Sequence, residues 1–177
     1  MAFHHVAIAV RDLQATHRFY SEAMGFRLVH VQAGVTGAPG GWAKHVFYDT
    51  GAGMLAVWEL HDPGIIDFDP ALSRGLGLPT WVNHLAFDAA TRADLDACRE
   101  RWLRFGLDVL EIDHDWTVSV YTDDPNGNMI EWCHTVKEFG QAEAERALEL
   151  LVDPAPPLEP LPSDIRFLIA AECAAPA

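Results

Sequence analysis

Basic charge is scarce in this chain. Lysine and arginine together number 12 against 26 aspartates and glutamates in 177 residues, for a net charge of −14. Nucleic-acid binding draws on clustered cations that displace phosphate counterions. No such cluster is present, which argues against a polyanionic partner. Cysteine is scarce too. Cys98, Cys133 and Cys173 lie far apart with no CxxC pair. That spacing argues against a zinc ribbon or a disulfide framework and fits a reducing compartment. No apolar run approaches the roughly 20 residues of a membrane span. The opening Met1-Ala2-Phe3-His4-His5 lacks the basic region and apolar stretch of a secretory signal, so the expectation is a cytoplasmic protein. Half of the residues are hydrophobic, enough for a packed core without disulfide staples.

What the chain does have is a repeat. One half opens with His5-Val6-Ala7-Ile8 and closes with Leu55-Ala56-Val57-Trp58-Glu59; the other opens with His84-Leu85-Ala86-Phe87 and closes with Asn128-Met129-Ile130-Glu131. In the first half, residues 3–10 read as a strand. Leu13, His17, Tyr20 and Met24 recur at helical spacing, and Gly25 suits the helix end. Strands are expected from Phe26 to Val31, His45 to Asp49 and Met54 to Leu60. Residues 61–80, rich in Gly, Pro and Asp, read as a linker. The order β-α-β-β-β then recurs, with a strand at Trp81–Phe87, a helix at Thr91–Phe105, and strands at Leu107–Ile112, Thr117–Thr122 and Asn128–Thr135. Residues 1–135 therefore form one α+β domain of two modules, about 1–62 and 80–135. Residues 136–177 form a tail, with a helix expected over Glu138–Val152 and a proline-rich stretch after it.

Two such modules packed face to face would bring His5, His84 and at least one carboxylate into a shared cleft. Two imidazoles and a carboxylate are the set that holds a divalent metal and leaves positions open. Glu131 sits among Met, Ile and Trp, where an unpaired charge is costly and a cation should accompany it. Glu59 carries the same argument and is a further candidate ligand. His4 alternates to the other face from His5 and reads as structural.

Asp124-Pro125-Asn126-Gly127 has strong turn chemistry, with proline suited to the first central position. Gly127 can take the left-handed conformation of a three-residue hairpin with a bulge. Asp124 then pairs with Asn128, Tyr121 with Glu131, and Ser119 with Cys133, and partners share a face. An unbulged turn would send Tyr121 to the other face.

Ile112-Asp113-His114, five residues, Val120-Tyr121, two residues, Asp124-Pro125-Asn126-Gly127, three residues and Glu131 together resemble the pattern of the type I extradiol ring-cleaving dioxygenases. These belong to the vicinal oxygen chelate superfamily, with the glyoxalases and the bleomycin- and fosfomycin-resistance proteins. The resemblance implies paired β-α-β-β-β modules forming an incomplete barrel around a metal. It implies His5, His84 and Glu131 as ligands, and His114 and Tyr121 as catalytic residues. The metal would be Fe(II), with Mn, Ni, Co and Zn also suited to the ligands. The substrates would be a catechol-like diol and O₂, and pairing between copies of the chain would be open to it. Extradiol enzymes carry a further histidine between the two ligands, for which His61 is the nearest candidate. Two other readings stand beside this one. With Glu59 at the metal, the set resembles a glyoxalase-like lyase or isomerase. Without a metal, the cleft resembles that of a resistance-type binding protein.

Overall fold

The computed structural model describes residues 3–65 and 67–170; Cys173 lies outside them. Alternating patterns in the first half form β1 (His5–Val10), β2 (Arg27–Val35), β3 (Trp42–Asp49) and β4 (Met54–His61). They make a four-stranded sheet in the order β1-β4-β3-β2. The second half repeats this with β5 (His84–Asp88), β6 (Val109–Asp113), β7 (Thr117–Asp123) and β8 (Met129–Thr135). In each module the first strand runs parallel to the last, and the helix between them makes the crossover such a pairing requires.

The first helix is shorter than its periodicity predicts. It is capped by Asp12, whose side chain accepts from the Ala15 amide, and α1 covers Leu13–Arg18. Phe19–Ala23 then widens into a π turn that buries Phe19, Tyr20 and Ala23. The second helix, α2 (Arg92–Phe105), starts from a Thr91–Asp94 capping box and ends at Gly106 in the left-handed region. That glycine has no Cβ to resist the conformation. The helical segments cover one face of each sheet. Ile8, Tyr20, Tyr48, Leu55, Val57, Leu95, Trp102, Val120 and Ile130 belong to one buried cluster shared by both modules. The ring of Phe26 from the first module lies 5.0 Å from Phe87 and 6.0 Å from Trp132 of the second.

The modules are also joined through the Asp124-Pro125-Asn126-Gly127 turn. The bulged form is present: the Gly127 amide donates to Asp124 O at 2.9 Å, the Asp124 amide donates to Asn128 O at 2.9 Å, and Gly127 has φ 81°. Buried Asp124 accepts from the Tyr20 hydroxyl at 2.9 Å and from the amides of Asn126 and Asn128 at 2.8 and 2.9 Å. Asn126 donates to Thr16 Oγ1 on α1 and accepts from the Arg11 amide. Asn128 accepts from the Leu72 amide of the linker. Burial and the facing Asp124 carboxylate push the Tyr20 phenol well above its ordinary pKa, so it stays a donor.

The tail differs from expectation. The helix α3 covers Gln141–Val152 with no buried residue. After the prolines the chain forms a strand that the sequence reading omits, β9 (Ile165–Leu168). It pairs antiparallel with β6 and makes the second sheet five-stranded, in the order β5-β8-β7-β6-β9. The boundary at residue 135 therefore separates a strand from the sheet it completes. The two sheets do not close into a barrel. No helix among the described residues is long and apolar enough to cross a membrane.

Asp124→Ala is expected to lower unfolding free energy by about 2–4 kcal/mol, because it leaves several buried donors without an acceptor. Urea denaturation measures this. A loss below about 1 kcal/mol would show that the turn does not depend on the carboxylate.

Candidate functional site

Strand alternation decides which side chains share a face. In the second module His84 pairs with Met129, and Ala86 with Glu131. Tyr121 pairs with Glu131, Ser119 with Cys133, and Leu110 with Tyr121. These residues all lie on the sheet face opposite α2. The bulged turn sets this register, and Tyr121 stands beside Glu131 as the turn chemistry predicts.

Glu131 is 6% exposed. Its ion-pair partner among the described residues is His84, with Nε2 3.0 Å from Oε2. Glu111 is equally buried, and it is held by Arg92 at 3.0 Å and Arg99 at 2.7 Å. Among the described residues Glu131 has no arginine or lysine partner. The other ring nitrogen of His84, Nδ1, lies 3.0 Å from the carbonyl of Trp81. A carbonyl can only accept, so Nδ1 carries a hydrogen, and Nε2 faces Glu131 either as the second N–H of an imidazolium or as the lone pair of a neutral ring. A buried carboxylate calls for a positive charge beside it, supplied here by a proton on Nε2 or by a cation held between the two atoms. A divalent metal satisfies that demand, and a ring nitrogen tied to a backbone carbonyl is the outer support common to metal-bound histidines.

His114 follows β6 in a tight connection where the His114 amide donates to Thr117 O and Asp115 adopts φ 66°. Its Nε2 lies 3.0 Å from the Tyr121 hydroxyl. The Tyr121 pKa is raised, first by burial and then by the Glu131 charge, so the phenol keeps its proton. The same two causes push the Cys133 thiol up to about 11.

The first module places its residues differently. His5 shares a face with Ala56, Trp58, His45 and Phe47 by register. Its ring lies 5.8 Å from Phe47 and 6.4 Å from His45. Glu59 and His61 fall on the other face, opposite Lys44 and Trp42. Glu59 pairs with Lys44 at 2.8 Å and His61 at 3.1 Å, and His61 stacks on Trp42 at 3.8 Å. Both candidates therefore point away from His5. Glu59 comes three residues after the repeat position it was matched to: Ala7 pairs with Ala56 as Ala86 pairs with Glu131. An odd shift along a strand exchanges faces. The module-1 counterpart of Glu131 is Ala56, so the repeat supplies one carboxylate.

Within a single chain, His5 does not join His84 and Glu131. No group of three or more metal-ligating side chains converges among the described residues. The sequence reading also missed His45. It stacks on Trp58 at 3.7 Å on the His5 face, and its buried Nε2 lacks a hydrogen-bond partner among the described residues. Burial, with the neighbouring His5 and His30, lowers its pKa. Alternation with Phe47 along β3 was the available signal.

The model of the Glyoxalase/Bleomycin resistance protein/Dioxygenase superfamily matches residues 2–132. No curated protein is significantly similar to the chain. Among solved structures, the chain is similar to a lactoylglutathione lyase from Agrobacterium tumefaciens, at 24% identity and TM-score 0.52, over 75% of this chain and 92% of that one. It is similar to a glyoxylase/bleomycin resistance protein/dioxygenase domain from Frankia sp. EAN1pec, at 22% identity and TM-score 0.56, over 76% and 98%. A genomically encoded fosfomycin resistance protein from Listeria monocytogenes aligns at 16% identity and TM-score 0.55, over 81% and 97%. These structures share the fold. The family match runs through both repeats, and the chain belongs to the Glyoxalase/Bleomycin resistance protein/Dioxygenase superfamily.

Proposed function

We propose that the chain is a metal-dependent enzyme of the extradiol type, opening a catechol-like ring with O₂. We assign the metal to His84 and Glu131 together with the His5 of a second copy. The reading rests on the pair of candidate ligands His84 Nε2 and Glu131 Oε2, 3.0 Å apart, on the face that also holds the His114–Tyr121 pair. His5 is exposed and therefore accessible to another chain. A twofold arrangement would lay the His5 face of each copy over the His84 face of the other and make two equal sites.

Bound Fe(II) would supply chelation of the two vicinal oxygens and the electron path between the ring and O₂. The residues of the chain do the rest. Tyr121, kept protonated by burial, donates a hydrogen bond to a substrate oxygen and orients the ring. His114 holds a proton near the same oxygen and exchanges it as charge develops there, a positioned acid–base role. The apolar side chains of Leu110 and Met129 limit water at the ring. Ala56 at the repeat position of Glu131 favours this reading over a glyoxalase-like lyase or isomerase, which would use a second carboxylate. The His84–Glu131 pair, which supplies two adjacent metal ligands, favours it over a metal-free binding protein.

His84→Ala should lower bound Fe(II) at least tenfold in protein purified without oxygen, read by metal analysis. Unchanged stoichiometry would refute the ligand assignment. His114→Ala should slow catechol-dependent O₂ uptake by about 10²–10⁴-fold, the scale for losing a positioned acid–base group, with iron still bound. Full uptake by that variant would remove His114 from the reaction.

His5→Ala and Glu131→Ala should each be inactive alone. Unfolded and refolded together, they should recover up to about a quarter of wild-type activity. Half of the pairs are then mixed, and each mixed pair rebuilds one intact site of two. No recovery from a correctly refolded mixture would place the site within one chain.

A further inference from the structure

Residues beyond Trp132 fall outside the family match, yet part of this extension reaches the face that carries the candidate site. Strand β9 is pinned at both ends. The Asp113 amide donates to Asp164 O at 3.1 Å, and the Ala170 amide donates to Asp108 Oδ1 at 2.8 Å. Register then separates its side chains. Arg166 pairs with Glu111 and points to the α2 side, where its guanidinium lies 3.7 Å from the Glu111 carboxylate. Phe167 pairs with Leu110 and Ile165 with Ile112, on the opposite face. Leu110 is the cross-strand partner of Tyr121, and Tyr121 that of Glu131. One row therefore runs Phe167, Leu110, Tyr121, Glu131 on a single face. Phe167 stands three strand spacings from Glu131, about 14 Å along the sheet.

Phe167 is 74% exposed and Ile165 45%. An ordered strand that holds an aromatic ring in water, next to other apolar side chains, marks a surface that something covers. The ring lines a hollow of about 360 Å³ together with Leu110, Tyr121 and Met129 and the polar Asp108, Thr122 and Asp123. The hollow includes Tyr121 and so continues the candidate site. Nothing in the chemistry assigned to Glu131, His114 and Tyr121 uses its far end.

We infer that β9 is the outer wall of the substrate hollow, and that Phe167 selects diols carrying a bulky apolar substituent over an unsubstituted catechol. This rests on the metal lying at His84 and Glu131. A diol held there points any substituent directed along the row across Leu110 toward Phe167. A ring of one catechol's size cannot span the distance; a second ring or a branched apolar group reaches further. Among the described residues the hollow is lined by no lysine or arginine, and the carboxylates of Asp108 and Asp123 border it, so an anionic substituent is disfavoured.

The test uses the full chain loaded with Fe(II) under anaerobic conditions, with 4-phenylcatechol and catechol as probes for calorimetry. Wild-type protein should bind 4-phenylcatechol at least ten times more tightly than catechol. A tenfold ratio is about 1.4 kcal/mol, the yield of burying roughly 50–60 Å² of apolar surface. Phe167→Ala should reduce the ratio to threefold or less, and Phe167→Leu should keep most of it. Reading the ratio cancels any general loss of affinity, and far-UV circular dichroism checks folding. An unchanged ratio in Phe167→Ala, or no preference in the wild type, overturns the wall and leaves the catechol reading intact if both diols still support O₂ uptake. If neither diol binds protein that holds iron, the catechol reading fails and this inference fails with it. A lower molar mass in solution for Phe167→Ala, with the ratio unchanged, assigns the ring to a contact between copies and also overturns it.

Discussion

The buried carboxylate of Asp124 is the constraint on which the rest depends. It gathers the Tyr20 hydroxyl and the amides of Asn126 and Asn128, so a turn in the second module is built partly on a side chain of the first. The turn has two consequences. Through Asn126 and Asn128 it ties α1 and the linker to the second sheet. Through the left-handed Gly127 it adds the one residue that places Tyr121 opposite Glu131. A charge buried this way is stable because its donors are fixed by the backbone around it.

Charge at the second sheet is handled in two ways. On the α2 side, Glu111 is neutralised by Arg92 and Arg99 and serves packing. On the opposite side, Glu131 faces the His84 ring and the Tyr121 hydroxyl, and the other nitrogen of His84 is committed to a carbonyl. Similar burial with different partners separates a carboxylate held by guanidinium groups from one paired with an imidazole, a set able to hold a metal. The first module offers His5 and His45 on a matching face, with Ala56 at the position of the missing carboxylate. The two modules are alike in fold and unequal in chemistry.

Several of these features could be read along the chain. The two histidine-led strands, both crossovers and the bulged turn follow from periodicity and turn chemistry, which are local. His84, Glu131, Tyr121 and His114 could be placed relative to one another because a short hairpin counts residues across two strands. Glu59 was misplaced because Gly51-Ala52-Gly53 connects its hairpin, and that loop carries no turn chemistry as restrictive as Asp-Pro-Asn-Gly. Misplacing its repeat match by three residues exchanges faces, and its burial argument was met by Lys44 and His61 instead of a metal. The π turn at Phe19–Ala23 escaped notice because Tyr20 and Met24 keep a helical spacing while the backbone widens beneath them.

By itself the sequence determined the repeat, the elements of each module and the group of residues near Glu131, because each depends on neighbours within one turn or hairpin. Only the tertiary structure decided which face Glu59 takes, that His45 joins His5, and that His5 stands apart from His84 within one chain. It alone showed that a strand after the prolines completes the second sheet and brings Phe167 into line with Tyr121. Those outcomes depend on pairing between distant segments. The free energy of such pairing comes from burial and register across the whole sheet, and no local pattern in the chain encodes it.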